Sequence, residues 1–318
     1  MDGNRKLHRK AKYDKRKAGQ AISIFLRMVD GVSFDMKVKE PIALPCPQSL
    51  NPEQISQFFE KGYLAFEHVL TNDELSAARQ ALRDLVVGRA FDSELTQVSP
   101  PTKPGGKTIF CKRGGKFFFE TEPGMTPSPD DLDALELSVR KLMWFEEEAP
   151  IFQKITQGHS RIQPILDALL GPDSTMFQSM ALIKPPFIGT EKPWHQDNAY
   201  FSVQPLNSIL GIWIALDDAT VENGCMHVIE GGHHVGALRH HHTFDCQILE
   251  GRLDPSEAVP VELKAGGAMF FLGMLPHQTP ANASPERRRA LQFHYHSKNA
   301  TQLPDNEYDQ LFAEADGT

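Results

Sequence analysis

The chain has 318 residues, of which 40% are hydrophobic and 23% charged, and its formal net charge is -8 at pH 7. A chain of that length buries a substantial core without staples. The acid excess argues against a nucleic-acid binder, and the composition excludes collagen-like, disulfide-scaffold and wholly disordered classes. The four cysteines, Cys46, Cys111, Cys225 and Cys246, are scattered and form no CxxC pair. Free thiols in a reducing, cytoplasmic setting are therefore expected. No apolar run reaches the roughly 18 residues of a membrane span, and no signal-peptide segment opens the chain.

Residues 1–48 read as a basic N-terminal extension and linker. Residues 1–20 hold eight Lys/Arg against two Asp, and Pro41, Pro45 and Pro47 close the stretch. So short a basic block is expected to be a solvated tail, able to meet an anionic surface but without specificity. A helix then starts: Asn51 caps, Pro52 suits the first turn, Ile55, Phe58 and Phe59 form an apolar stripe, and Gly62 stops it. Tyr63–Phe66 predicts a short strand. Thr71 with Glu74 is a capping box for a second helix through Leu75, Ala78, Leu82 and Leu85.

Residues 94–128, rich in Pro, Gly, Thr and Ser, predict a loop with short strands, suited to a lid. The run Phe117–Phe119 is expected to be buried strand. Two helical stretches are predicted near 129–157 and 160–170, the first broken at Pro150 and the second ended by Gly171-Pro172. From about 174 the period changes to that of strands: Met176–Lys184, Ile209–Leu216, Met226–Ile229, Val261–Leu263, Ala268–Leu272 and Ala290–His296. Many short strands without alternating helices predict an antiparallel sandwich, with the earlier helices covering one face. The expected organisation is a single domain over 49–300, with a helical cover at about 49–173 and the main strands at about 174–298. Residues 301–318 form an acidic tail.

The informative segment is Trp194-His195-Gln196-Asp197. In extended chain, residues i and i+2 face one side, so His195 and Asp197 can share a metal. A third ligand fits at His277, which follows the buried strand Met269–Leu272. Two histidines and a carboxylate make a facial triad suited to non-haem Fe(II), although zinc accepts the same set. Arg288 lies eleven residues on, at the start of another apolar strand. Alternation turns Arg288 inward and Arg287 and Arg289 outward. A lone inward guanidinium needs a carboxylate partner, and Thr279 can donate a hydroxyl to the same group. A bidentate 2-oxo acid would satisfy both ends.

The His195-Gln-Asp197 segment, Leu216-Asp217-Asp218-Ala219, Glu222-Asn223-Gly224-Cys225-Met226, Gly231-Gly232-His233, His277 and Arg288-Arg289-Ala290-Leu291 together resemble the phytanoyl-CoA dioxygenase family. Phe59-Glu60-Lys61-Gly62-Tyr63 resembles that family's opening, so the likeness spans roughly residues 50–300. It implies a mainly β fold with flanking helices, a double-stranded β-helix (jelly-roll, cupin-like) core. It implies Fe(II) on His195, Asp197 and His277, with O2 and 2-oxoglutarate as cosubstrates. The far carboxylate of 2-oxoglutarate would sit on Arg288 and Thr279, and Lys141 would reach the same cosubstrate. It further implies oxidation, typically hydroxylation, of a C–H bond of a small-molecule metabolite, with succinate and CO2 released. Related halogenases replace the carboxylate ligand with a small residue, so Asp197 implies hydroxylation or a related oxidation. Gly-Gly-His at 231–233 stands where the family has Gly-Ser-His.

Tyr200, Phe201, Trp213 and His227 are candidate pocket residues, with core packing as the competing role for Tyr200 and Phe201. His294 and His296 are expected to be packed or hydrogen-bonded rather than ligands. The His240–His242 run reads as a polar loop before a second metal site, because consecutive side chains diverge. Two other functions use the same residues. A metal-dependent hydrolase or isomerase on a cupin-like barrel needs the triad but not Arg288 or Thr279. A catalytically silent binding protein would keep the fold alone. No nucleic-acid partner is expected.

Overall fold

The computed structural model describes residues 42–89, 95–99, 109–112, 118–125, 131–242 and 245–313. The basic extension up to residue 41, much of the proposed lid with Phe117, and the last five residues lie outside them. Strand β1 (Ala43–Pro45) precedes helix α1 (Pro52–Lys61). The predicted start of α1 is a reciprocal box: Gln54 N–H donates to Asn51 Oδ1 at 2.8 Å, and Asn51 N–H donates to Gln54 Oε1 at 3.0 Å. Gly62 ends the helix at φ 87, where only glycine avoids strain. A Cβ there would also stand 2.6 Å from the His233 ring. Strand β2 (Tyr63–Glu67) and helix α2 (Asn72–Arg89) follow. The Thr71–Glu74 box closes through 3.3 and 2.9 Å bonds. Ala78, Leu82 and Val86, four residues apart, form the buried stripe of α2.

Strands β3 (Leu95–Ser99), β4 (Ile109–Lys112) and β5 (Phe118–Thr121) form antiparallel neighbours. The next stretch corrects the sequence reading. One helical region over 129–157 was expected, yet its middle is strand. Helix α3 (Leu132–Ser138) gives way to β6 (Val139–Met143), and helix α4 (Pro150–Thr156) begins at Pro150 instead of being broken there. Proline at a first helical position forgoes an N–H that has no intrahelical partner anyway. The apolar spacing of Val139, Leu142 and Met143 suits a helix as well as a strand. Pairing between β5 and the long strand that follows selects the strand. Helix α5 (Gln163–Leu170) ends at Gly171 as predicted.

Then come β7 (Thr175–Lys184), β8 (Lys192–His195), β9 (Val203–Gln204), β10 (Ile209–Ala215), β11 (Met226–Val228), β12 (His240–His242), β13 (Cys246–Ile248), β14 (Val259–Val261), β15 (Ala268–Leu272), β16 (His277–Thr279) and β17 (Arg288–His296). They build a ten-stranded sheet in the order β1-β2-β15-β10-β17-β7-β6-β5-β4-β3, and a four-stranded sheet in the order β14-β11-β16-β8. Alternation along β10 sorts two cores. Leu210, Ile212 and Ile214 join the cluster that includes helix residues such as Leu82 and Leu166, while Trp213 and Ala215 join Met226, Val228 and Phe271. Gly211 is required between them, since a Cβ would meet the Phe271 ring at 2.4 Å. This is the expected jelly roll with helices on one face. No helix among the described residues is long and apolar enough to cross a membrane.

Candidate metal centre

The smaller sheet brings the two histidines together. β8 ends in His195, β16 begins with His277, and the two residues are direct antiparallel partners. Their ring centroids are 4.2 Å apart. Asp197 arrives differently from the extended geometry expected of it. After His195 the chain turns, and Asp197 has right-handed helical dihedrals at the start of the one-turn helix Asn198–Phe201. Its Oδ1 lies 3.4 Å from His195 Nε2 and 3.7 Å from His277 Nε2. One ligand atom from each of the three residues falls within 4.8 Å of the others, and all three side chains are buried.

The outer contacts set the tautomers. His195 Nδ1 donates to Pro193 O at 2.8 Å, and His277 Nδ1 donates to Leu275 O at 2.9 Å. A carbonyl only accepts, so the proton sits on each Nδ1 and the Nε2 lone pairs face Asp197. Burial, together with the positive potential of His277 and Lys192, pulls the His195 pKa down to about 3, and burial lowers His277 as well. Burial alone would raise the Asp197 carboxyl. The electrostatic influence of the His294 and His277 rings and the hydrogen bond from His294 outweigh it and hold the group well below the usual carboxylate range. Three buried acceptors converging without a donor are satisfied by a cation. The donor set suits a divalent metal with open positions, iron or zinc.

Gln196, between the two ligands, anchors the segment. Its side chain donates to Gly236 O at 2.9 Å and Met274 O at 2.8 Å and accepts from Leu238 N–H at 2.8 Å. Its backbone N–H donates to His240 Nε2 at 3.1 Å. His240 is thus a buried brace for the ligand strand. Among the described residues, His195, Asp197 and His277 are the group of side chains able to converge on a metal, and His240 and His241 are not part of it.

Sequence reasoning missed the support of Asp197. His294 Nε2 donates to Asp197 Oδ2 at 2.8 Å, with the Gln292 amide 3.5 Å from the same oxygen. One carboxylate oxygen is tied back while the other faces the histidines. The signal was present: Arg288, Gln292 and His294 share one parity on β17. The His294 ring packs on Phe177 and Phe201, and His296 lies against Phe177 with Nδ1 2.9 Å from Ser297 O. His294→Phe keeps that packing but removes the donor. It is expected to weaken Fe(II) or Co(II) binding by about 10–100-fold, read by anaerobic metal titration, while His294→Gln recovers part of the loss. Equal affinities in wild type and His294→Phe would refute the role.

Arg288 opens β17 on the other sheet and is 1% exposed. Its Nε and Nη1 are buried without partners. Trp213 lies against the guanidinium, 5.3 Å from ring centroid to Cζ. Burial brings the Arg288 pKa down to about 10, so it remains charged at neutral pH. Its neighbours turn away as alternation requires: Arg289 makes a two-pronged pair with Asp217 at 2.8 and 2.9 Å, and Arg287 binds Glu136. Lys184, the cross-strand partner of Arg288, donates to the carbonyls of Thr190, Thr279 and Pro280. It fastens the Thr279 segment to the larger sheet.

A cavity of about 390 Å³ joins these groups, and it is lined by the triad, Arg288, Thr279 and Lys184 among others. Tyr200 and Phe201 also line it, as does Lys141, whose Nζ stands 3.7 Å from Glu120. Trp213 is fully buried behind Arg288, and as the cross-strand partner of Gln292 it shares the sheet face of that cavity-lining residue. His227 is half-buried with Nδ1 3.2 Å from Cys225 O, and alternation on β11 gives the cavity Met226 instead. Cys46, Cys225 and Cys246 are free, and burial raises the pKa of each thiol. Cys111 has no described side chain.

The phytanoyl-CoA dioxygenase (PhyH) family profile matches residues 58–290. Phytanoyl-CoA dioxygenase domain-containing protein 1 of Danio rerio is 30% identical over 274 residues, covering 81% of this chain and 94% of that protein. Among solved structures, EvdO2 from Micromonospora carbonacea var. aurantiaca complexed with 2-oxoglutarate has TM-score 0.56 and 24% identity over 81% of this chain and 94% of that one. EctD from S. alaskensis with bound Fe has TM-score 0.59 and 20% identity over 83% and 85% of the two chains. The structural likenesses confirm the fold, and with the profile covering most of the sequence, the chain belongs to the phytanoyl-CoA dioxygenase family.

Proposed function

We propose that the protein is a non-haem Fe(II)- and 2-oxoglutarate-dependent dioxygenase that oxidises a C–H bond of a small-molecule metabolite. One observation carries the reading beyond a generic metal site: the unpartnered, buried guanidinium of Arg288 faces the same cavity as the all-acceptor triad. A hydrolase or isomerase has no use for that cation, and burying it without a counter-ion is costly. When bound, Fe(II), 2-oxoglutarate and O2 supply the oxidising chemistry, releasing succinate and CO2.

The chain's own residues do the rest. His195 Nε2, Asp197 Oδ1 and His277 Nε2 would hold the metal. Arg288 and the Thr279 hydroxyl take the far carboxylate of 2-oxoglutarate, and Lys184 keeps Thr279 in place. Lys141 contributes positive charge from β6. Tyr200 and Phe201 wall the substrate side and exclude water. That EvdO2 was crystallised with 2-oxoglutarate and EctD with Fe, on the same fold, supports the assignment.

The test is an anaerobic titration of Fe(II)-loaded protein with 2-oxoglutarate, followed by admission of O2. Saturable appearance of the visible metal-to-ligand absorption is expected, then succinate formed one-for-one with 2-oxoglutarate consumed. A protein that binds Fe(II) but neither binds nor decarboxylates 2-oxoglutarate would refute the reading and favour a hydrolase.

A further inference from the structure

β8 and β16 do not keep simple register. His277 pairs with His195, but Thr279 pairs with Lys192, so β8 carries one extra residue between the two pairs. Strict alternation would turn Lys192, three residues before His195, to the opposite face. The bulge turns it onto the same face, and Lys192 lines the cavity. Bulges beside active sites re-aim side chains in this way.

The aimed group is a cation. Arg140, Lys141 and Lys192 share one wall with the carboxylates of Glu120 and Asp245, and Glu122 also acts on Arg140. Arg140 takes Glu120 at 2.8 Å and Asp245 at 3.2 Å, leaving Lys192 a share of Asp245 at 3.2 Å. The Lys192 ammonium has three hydrogens; the Tyr200 hydroxyl and Asp245 accept from it. Burial brings its pKa down to about 8, the mark of an ammonium that an added anion would stabilise. The charged groups acting on Lys192 itself are Asp245, Lys141, Cys246 and Arg140, whereas those acting on Arg288 are Cys225, Asp217 and Glu122. The Tyr200 ring links the station to the metal ligands: its centroid is 4.9 Å from Lys192 Nζ and 6.0 Å from the His195 ring. Met143, Met180 and Phe201 supply apolar wall nearby.

We propose that the substrate is a small organic anion whose carboxylate or phosphate docks on the Lys192 ammonium, beside Tyr200, with an apolar body against the methionine wall. The oxidised carbon then stands only a few bonds from the charged group, since one aromatic ring spans the distance from Lys192 to the triad. This inference rests on the dioxygenase reading above. It adds a second anion station that the cosubstrate, held at Arg288, does not occupy.

The test uses protein loaded anaerobically with Fe(II) and saturated with 2-oxoglutarate, titrated calorimetrically with hexanoate, hexyl phosphate, hexanamide and hexanol. At least one anion is expected to bind 10-fold or more tighter than its neutral counterpart, and the better anion identifies the headgroup. Lys192→Met is expected to erase that preference, and Lys192→Arg to keep most of it. Neutral probes binding as well as the anions, no binding by either anion, or an unchanged preference in Lys192→Met would each overturn the proposal. The 2-oxoglutarate absorption band in the same samples separates the two failures. Its absence from the wild type refutes the dioxygenase reading, and its presence without anion preference refutes this inference alone.

Discussion

Asp197→Ala is expected to lower Fe(II) affinity by at least about 100-fold, beyond the range typical of outer-shell substitutions, and to abolish succinate formation. The reason lies in the charge inventory. Burial holds His195 and His277 neutral, and their carbonyl contacts keep the proton on Nδ1, so Asp197 is the one anionic donor of the triad. Its loss leaves two uncharged nitrogens to hold a dication in a buried site. It also deprives the His294 N–H of its acceptor, so the variant loses a ligand and the brace together. His195→Ala is expected to be equally inactive with a smaller loss of affinity, because the carboxylate survives. Anaerobic Fe(II) titration checks both. Wild-type affinity and stoichiometry in Asp197→Ala would show that the metal, if any, binds elsewhere.

The second large effect falls on the cosubstrate. Arg288→Met is expected to weaken 2-oxoglutarate binding by about 30–1,000-fold, corresponding to about 2–4 kcal/mol for a desolvated charge pair, while Fe(II) affinity stays near wild type. Folding stability should move the opposite way. The guanidinium is buried with two unpartnered nitrogens, so replacing it with an apolar chain of similar length removes a desolvation penalty in the protein without cosubstrate. Raised thermal stability with lost 2-oxoglutarate affinity is the signature of a group kept for binding. A variant that unfolds early and still saturates normally would assign Arg288 to the fold instead. Arg288→Lys, retaining charge but not the planar fork, should fall between.

The surroundings of these two residues explain what could be read from the chain alone. The parity that turns Arg288 inward and Arg287 and Arg289 outward is a local property of one strand, and β17 follows it. The caps at Asn51 and Thr71 and the stop at Gly62 are likewise local, set by hydrogen bonds within three or four residues. The stretch around Val139–Met143 escaped because its apolar spacing satisfies either period, and only pairing to β5 and β7 decides between them. His227 shows the same limit. Its residue type suits a pocket, but which face of β11 meets the opening depends on the opposing sheet.

The sequence by itself determined the class of fold, the three residues of the candidate metal site and the inward arginine, because motif spacing and strand parity are written in neighbouring residues. Tertiary structure decided the rest. The antiparallel pairing of His195 with His277 across 82 positions brings the site together. The turn after His195, not an extended strand, delivers Asp197. His294 braces the carboxylate from another sheet, and the β8 bulge swings Lys192 into the cavity. Each depends on which strand lies opposite, and that choice is made by burying two apolar faces together, a property no local window of residues contains.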